Sequence, residues 1–208
     1  MITLLEKIPE NIAVAVSGGA DSMAALDFLH NGGKRSVTIL HFNHGSEHAD
    51  EAESFVREYA EEKGLPLFAG KLTRELRPRE SKECYWREQR YAFFNLFSST
   101  VGKGIPIVTC HHLDDLVETW IFTSLHGTPR LIPRRRDNYV RPFLSTRKAE
   151  LLSWCKRKGV PYVEDPSNSN TSYMRNYIRH VLLPSALRVN PGIHKVLRKK
   201  IIENENRD

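Results

Sequence analysis

The chain of 208 residues contains no apolar run that approaches the ~20 residues of a membrane span. Residues 1–9 also lack the apolar stretch and cleavage pattern of a signal peptide. The three cysteines, Cys84, Cys110 and Cys155, lie far apart and include no C-x-x-C pair, which argues against a disulfide framework. We therefore expect reduced thiols, buried or half-buried, in a cytoplasmic protein that makes no membrane contact.

Positive charge is scarce in the first part of the chain and concentrated in the last. Residues 1–127 hold 13 Lys and Arg against 18 Asp and Glu, whereas residues 128–208 hold 18 against 7. Basic residues cluster at 134–136 and 198–200. This asymmetry indicates a polyanionic partner such as a nucleic acid, the alternative being an ordinary solvated basic face.

A short stretch near the N-terminus has the pattern of a buried strand, a tight turn and a helix. Residues 12–16 are apolar without alternation, residues 17–22 read Ser-Gly-Gly-Ala-Asp-Ser, and residues 23–29 have helical periodicity. Backbone N–H groups of such a turn, together with the helix dipole, can bind a phosphate. The alternative is an ordinary connection in which Gly18 and Gly19 only reverse the chain.

This turn also lacks the residues of the best-known phosphate loops. It has no Lys at the spacing of G-x-x-x-x-G-K-[ST], and it has no G-x-G-x-x-G pattern. It contains an acid instead, Asp21. A carboxylate beside phosphates indicates a bound Mg²⁺ ion.

The remaining pattern alternates strands and helices, which predicts an α/β fold with a mostly parallel twisted sheet flanked by helices. Strands are predicted at 37–42, 67–69 and 105–110, and helices at 50–63, 81–101 and 113–125, with a loop at 73–80. Beyond a loop at 127–138 we expect an extended segment at 139–142, helices at 146–158 (capped by Ser145) and 173–183 (stopped by Pro184), a further short helix and a frayed end. Residues 1–127 would form the core, and residues 128–208 a small basic, mostly helical extension of the same domain.

A second acidic site follows the fourth predicted strand. Asp114, Asp115 and Glu118 can share one face of a helical first turn, where like charges are costly unless a cation offsets them. This favours Mg²⁺, although acids also favour helix N-termini in general. Since ligands bind at the carboxyl edge of parallel strands, we expect residues 17–22, 42–44 and 110–112 to converge on one site. The histidines form no recognised zinc pattern.

These residues carry a family resemblance. Residues 17–22 match the S-G-G-x-D-S signature of the PP-loop (N-type) ATP pyrophosphatases. Within that group the chain resembles the tRNA(Ile)-lysidine synthetases, because residues 111–119 match H-x-x-D-D-x-x-E-T. Further matches lie at residues 40–45, at 87–91 (with Trp86 where Ala is usual), at 141–144, at 165–168, and at Arg175, Asn176 and Arg179.

The resemblance implies an adenine nucleotide alpha hydrolase-like fold and a ligase that uses ATP and Mg²⁺. The family adenylates C2 of the wobble cytidine of tRNA(Ile) with a CAU anticodon. Free lysine then displaces AMP to form lysidine. The family's Gly-Ser-Gly-rich segment is reduced here to residues 125–130, and the chain ends soon after Asn176. We therefore expect a truncated form without the C-terminal tRNA-binding domain.

The resemblance also implies residue roles. Asp21, Asp115 and Glu118 would hold Mg²⁺ or orient reactants, and Arg87 and Arg175 would approach the phosphates or the cytidine. The nucleotide-binding residues would be Ser17, Gly18, Gly19, Asp21, Ser22, His111 and, through its backbone, Phe42. Arg87 could instead be a solvated helix arginine, and Arg175 a cap or a partner of Asp165. The alternative functions are another PP-loop pyrophosphatase with a different tRNA or small-molecule substrate, and a non-catalytic RNA-binding relative.

Overall fold

One six-stranded sheet forms the centre of the molecule, in the strand order β3-β2-β1-β4-β6-β5. The computed structural model describes residues 1–32, 35–46, 48–72, 76 and 80–203. The strands are β1 Asn11–Ala15, β2 Ser36–Asn43, β3 Leu67–Lys71, β4 Ile107–Val108, β5 Arg135–Arg136 and β6 Tyr139–Val140. All neighbours pair in parallel except β5 and β6. The predicted fold class is therefore confirmed.

Eight α-helices surround this sheet in the described part of the chain. They are α1 Ala20–Asp27, α2 Ala49–Glu62, α3 Lys82–Thr100, α4 Leu113–Leu125, α5 Lys148–Lys158, α6 Met174–Tyr177, α7 Leu183–Val189 and α8 Ile193–Glu203. Single π-helical turns, Phe28–Gly32 and Ile178–Leu182, extend α1 and join α6 to α7. A 3₁₀ turn covers Pro166–Ser169.

The central strands are buried on both faces because helices cover both. Ile12 and Val14 of β1 belong to a core shared with α1, α2 and α5. Ala13, between them, belongs to a core formed with the phenylalanines of α3. A third cluster joins α4 to α8 through Leu116 and Leu197. This two-sided burial explains why residues 12–16 are apolar without alternation.

Several predicted boundaries were wrong, each for a local reason. Ser145 does not cap α5, because its Oγ donates to the backbone oxygen of Thr3 and the helix starts at Lys148. Pro184 does not stop a helix. It lies in the first turn of α7, where its missing N–H is tolerated. Strand β4 is shorter than predicted.

The loop predicted at 127–138 contains β5, and β6 pairs with β4, so the sheet crosses the predicted division at residue 127. Most of the loop predicted at 73–80 and the last residues, 204–208, where a frayed end is predicted, lie outside the described residues. No helix in the described part of the chain is long and apolar enough to span a membrane. All three cysteines are free, but Cys84 is exposed, contrary to the prediction.

Candidate active site

The turn between β1 and α1 is held in a concave shape by its own side chains and by a distant segment. Gly18 has a φ of +88°, a conformation that favours glycine. Its carbonyl oxygen accepts a 3.0 Å hydrogen bond from the backbone N–H of Val163. The buried Ser22 hydroxyl donates to the Gly19 carbonyl at 2.9 Å and accepts from the Ser17 N–H at 3.1 Å. The turn is therefore preformed at the start of α1, where unpaired N–H groups attract anions.

The predicted convergence at the carboxyl edge of the sheet is present. A cavity of about 300 Å³ opens where β1, β2 and β4 end. The predicted site residues that line it are Ser17, Asp21, Ser22, Phe42, His111, Asp115 and Arg175. Arg87 and Glu118 lie on a neighbouring cavity instead. The Phe42 ring is buried against Phe93 at 5.4 Å.

His112 lies between two of the predicted catalytic carboxylates. Its Nε2 is 3.5 Å from Asp21 Oδ2, and its Nδ1 is 3.5 Å from Asp115 Oδ2. Its backbone N–H donates to Asp115 at 3.0 Å, so the pair caps the start of α4. Burial disfavours the charged imidazole, but the charges of Asp115, Asp21 and Asp114 outweigh burial and raise the pKa of His112.

Asp21 has a second cationic neighbour, because Lys148 Nζ of α5 lies 3.3 Å from its Oδ2. Burial would raise the pKa of Asp21, but His112 and Lys148 together lower it. Asp21 Oδ1 is buried and has no hydrogen-bond partner among the described residues. An unsatisfied buried carboxylate oxygen fits a cation ligand.

Asp114 contacts α5 and α8 and is absent from the lining of the first cavity. It accepts a 2.7 Å hydrogen bond from the backbone N–H of Lys148, and it lies 3.2 Å from His194 Nε2 in α8. Arg147 Nε is 3.5 Å away. Burial opposes ionisation, but these partners lower the pKa of Asp114. The adjacent acids Asp114 and Asp115 therefore face different parts of the molecule.

Glu118 is bound to arginines. Its two oxygens accept hydrogen bonds from Arg179 at 2.7 and 3.1 Å, and Arg175 Nε lies 3.8 Å away. Arg179 also approaches Asp115 at 3.5 Å. Only 1% of the Glu118 side chain is exposed, so the pairing removes the cost of an isolated buried charge. Burial nevertheless raises the pKa of Glu118.

A second cavity, of about 450 Å³, adjoins the first and shares His111 and Arg175 with it. Five arginines line it, together with apolar side chains of α4 and the 131–133 segment: Arg87, Arg130, Arg136, Arg141 and Arg175. Burial and the charges of nearby arginines outweigh Asp115 and lower the pKa of His111 to about 3. A neutral His111, 3.0 Å from Thr109 Oγ1, thus separates the two cavities.

Arg87 and Arg175 are exposed side chains that line the cavities. The Arg87 guanidinium lies over the Tyr91 ring, 4.9 Å from its centroid, and lines the second cavity. Arg175 lines both cavities and lies close to Glu118. These positions leave both residues available to a bound anion.

The sequence alone assigns no individual role to Lys148, Arg141 or His112. Lys148 lines a third cavity, of about 850 Å³, together with Ser17, Gly19 and Asp21. The sequence did contain one signal for Lys148, because a cation at the start of a helix opposes the helix dipole. Within the described ranges, no group of three His, Cys, Asp or Glu side chains has the arrangement of a metal site. The Mg²⁺ assignment to Asp21, Asp115 and Glu118 therefore stays a prediction.

Comparison with known sequences gives one family model and many relatives. Residues 3–186 match the PP-loop domain. The tRNA(Ile)-lysidine synthase of Thermotoga sp. (strain RQ2) is 30% identical over 203 residues, which cover 92% of this chain and 49% of the relative. That of Bacillus licheniformis is 34% identical over 199 residues, covering 88% and 42%. The chain therefore spans half or less of the length of these relatives.

Solved structures share the fold at low sequence identity. The U34-tRNA thiolase NcsA from Methanococcus maripaludis superimposes with a TM-score of 0.73 and 14% identity, covering 95% of this chain and 74% of that one. NMN synthetase from Francisella tularensis gives a TM-score of 0.52 with 13% identity, covering 73% and 63%. At such identities the likeness shows the fold alone.

Proposed function

Because this chain belongs to the PP-loop family, we propose that it is an ATP-dependent tRNA-modifying ligase of the lysidine type. In the proposed reaction, the oxygen at C2 of the wobble cytidine attacks the α-phosphorus of ATP and pyrophosphate leaves. The amine of free lysine then attacks C2 and loses a proton, and AMP leaves. The substrates would be tRNA(Ile) with a CAU anticodon, lysine and ATP.

One observation carries this proposal. The cavity lined by the Ser-Gly-Gly-Ala-Asp-Ser turn adjoins the arginine-lined cavity, and the two share His111 and Arg175. A reaction between a nucleotide and a polyanionic acceptor needs two adjoining sites of this kind. The first cavity has the phosphate-binding turn and carboxylates. The second has the cations and apolar surface that suit a nucleotide of RNA.

In the nucleotide site, the backbone of Gly18 and Gly19 and the hydroxyls of Ser17 and Ser22 would bind the leaving pyrophosphate. The Phe42 backbone would contact the adenine, with His111 beside the nucleotide. Because the pKa of His111 is lowered to about 3, its neutral ring can form hydrogen bonds without repelling the surrounding arginines.

Mg²⁺ would be held by Asp21 and Asp115, since Asp21 has a free buried oxygen and both carboxylates line the same cavity. When bound, the ion would neutralise charge on the phosphates during transfer. Glu118, the third predicted ligand, already accepts two hydrogen bonds from Arg179. Its proposed contribution is therefore to orient Arg179 and Arg175 toward the reacting phosphate.

In the second cavity, Arg87 and Arg175 would bind phosphate groups of the acceptor RNA, because guanidinium groups form paired hydrogen bonds with phosphate oxygens. Arg175 would contact both substrates, since it lines both cavities. This arrangement would hold the cytidine beside the α-phosphate.

The test is incubation of the protein with ATP, Mg²⁺, radiolabelled lysine and an unmodified tRNA(Ile) transcript that has a CAU anticodon. Label in the tRNA together with released pyrophosphate is the expected result. Pyrophosphate without lysine transfer would instead identify another PP-loop enzyme. RNA binding without turnover would identify a non-catalytic relative.

Substitution of Asp21 tests whether the reaction takes place at this site. Asp21→Asn should reduce pyrophosphate release at least about 100-fold, since one well-placed charge interaction contributes on the order of 3 kcal/mol to a transition state. The matched control is Asp137→Asn, because Asp137 is exposed on the β5–β6 turn and its φ of 53° is one that Asn adopts readily. Undiminished turnover in the Asp21 variant would refute the active-site assignment.

A further inference from the structure

The proposed phosphate-binding turn, residues 17–22, contains an acid but no cation. A cation from a distant helix, Lys148 of α5, lies next to it. Lys148 begins α5, far along the chain from residues 17–22, yet its Nζ is 3.3 Å from Asp21 Oδ2. Lys148 lines the third cavity together with Ser17, Gly19 and Asp21. Its ammonium therefore lies beside the turn and contacts the acid of the turn, Asp21.

The position of Lys148 is costly for the helix. Arg147 is the N-cap of α5 and Lys148 its first residue, so two cations stand where the helix dipole is positive. The half-buried Asp114 offsets this, because it accepts the Lys148 N–H at 2.7 Å and lies 3.5 Å from Arg147 Nε. His194 of α8 holds Asp114 from the other side at 3.2 Å. The fold thus keeps a lysine where helix electrostatics disfavour one.

Two other cations near the turn are already engaged. Arg179 donates two hydrogen bonds to Glu118 and approaches Asp115. His112 lies between Asp21 and Asp115. Lys148 is about a third exposed, and Asp21 is the carboxylate that it contacts among the described residues. A diphosphate group carries more charge than one carboxylate. The partly exposed Lys148 ammonium can therefore leave Asp21 and contact a phosphate oxygen instead, without breaking a buried ion pair.

We propose that Lys148 binds the β- and γ-phosphates and the departing pyrophosphate, taking the place of the lysine that the turn lacks, and that Asp114 is a positioning residue that holds Lys148 there. This inference rests on the proposed ATP-dependent function. It adds a phosphate-binding residue from α5 and a role for the acid of α4 that faces away from the nucleotide.

The experiment measures the affinity of the purified protein for two probes, inorganic pyrophosphate and AMP, by calorimetry in the presence of Mg²⁺. Lys148→Met should weaken pyrophosphate binding about tenfold through loss of a charge-assisted contact. It should leave AMP binding unchanged, because AMP has no β- or γ-phosphate. Lys148→Arg should restore most of the pyrophosphate affinity. Lys156→Met, an exposed lysine later in the same helix, is the control and should match the wild type.

A second comparison separates direct binding from an effect through Asp21. In an Asp21→Asn background, adding Lys148→Met should still weaken pyrophosphate binding about tenfold. If it weakens binding no further, Lys148 acts only on Asp21 and the proposal is overturned. Equal losses of AMP and pyrophosphate affinity in Lys148→Met would also overturn it, because they indicate a structural role.

Asp114→Asn tests the positioning role. It should weaken pyrophosphate binding by about threefold while AMP binding stays unchanged, and it should have no further effect once Lys148 is Met. An additive effect in the double variant would reject the role of Asp114. The proposed function fails separately, if the wild-type protein binds neither ATP nor pyrophosphate. A wild type that binds both, with a Lys148→Met variant of equal affinity, rejects only the present inference.

Discussion

At the scale of the residue, Gly18 leaves little room for a side chain. Its φ is +88°, and a Cβ added there would lie 3.1 Å from Val163 Cγ2. Gly18→Ala should therefore reduce the free energy of unfolding by about 2 kcal/mol, through backbone strain and the contact with Val163. Urea denaturation followed by circular dichroism measures this loss.

Gly64→Ala provides the matched control for this prediction. Gly64 also has a positive φ, +62°, but a Cβ there would meet no atom within 4 Å. Its substitution should cost about 1 kcal/mol, the strain of the left-handed backbone alone. Equal losses for the two variants would contradict a close approach between Gly18 and Val163.

Single residues also show what the sequence could and could not predict about the site. Asp114 and Asp115 are adjacent, and adjacent helical residues point about 100° apart. Asp115 therefore reaches the first cavity while Asp114 reaches α5 and α8. The motif predicted acids at the start of α4, and the structure places both there. Their partners, Arg179 and Lys148, come from later in the chain, and no local pattern specifies such distant pairs.

At the scale of the element, α1 is fixed in place by α5. The Trp154 Nε1 of α5 donates a 2.7 Å hydrogen bond to Asp27 Oδ2, at the end of the helix that follows the turn at residues 17–22. The Trp154 ring also meets Phe28 edge-on at 5.1 Å. Trp154→Phe keeps an aromatic ring but removes the donor. It should reduce the free energy of unfolding by about 1–3 kcal/mol, because Asp27 is buried.

Trp120→Phe is the comparison for this prediction, measured by denaturation followed by circular dichroism. Trp120 packs against the α4–α8 cluster, and its indole N–H donates no hydrogen bond to the described part of the molecule. Its substitution should cost less than that of Trp154. If both variants lose the same stability, the hydrogen bond to Asp27 contributes nothing beyond packing.

Elements with strong periodicity were predictable from the sequence. β1, β2, α2 and α4 agree with the sequence pattern because their buried faces impose it. β6 lies within the extended segment predicted at 139–142, but β5 was missed, because its two residues form a strand only through pairing with β6. The predicted stop at Pro184 was wrong, because Pro184 lies in the first turn of α7, directly after a π-helical turn.

At the scale of the whole molecule, part of the excess positive charge lies around one cavity. Residues 128–208 carry the excess of positive charge, and four of the five arginines in the second cavity come from there: Arg130, Arg136, Arg141 and Arg175. The acidic N-terminal part supplies Asp21 and Asp115 to the first cavity. The proposed RNA acceptor would therefore meet the basic part of the chain at the second cavity.

This distribution predicts how salt affects RNA binding. If Arg130 and Arg136 contact phosphates of a tRNA transcript, replacing both with Gln should weaken binding most at low salt. It should reduce the slope of log affinity against log salt concentration by about 1.4, since each contact with single-stranded RNA contributes about 0.7. Filter binding or fluorescence anisotropy over a range of KCl concentrations measures the slope.

The control is a second pair of substitutions, Arg57→Gln and Lys63→Gln. Arg57 lies in α2 and Lys63 directly follows it, and both cations face acids of that helix. Removing them should leave the slope unchanged, because neither lines the second cavity. Equal slopes for the two pairs of variants would mean that the arginine-lined cavity makes no phosphate contact, and that long-range charge alone attracts the RNA.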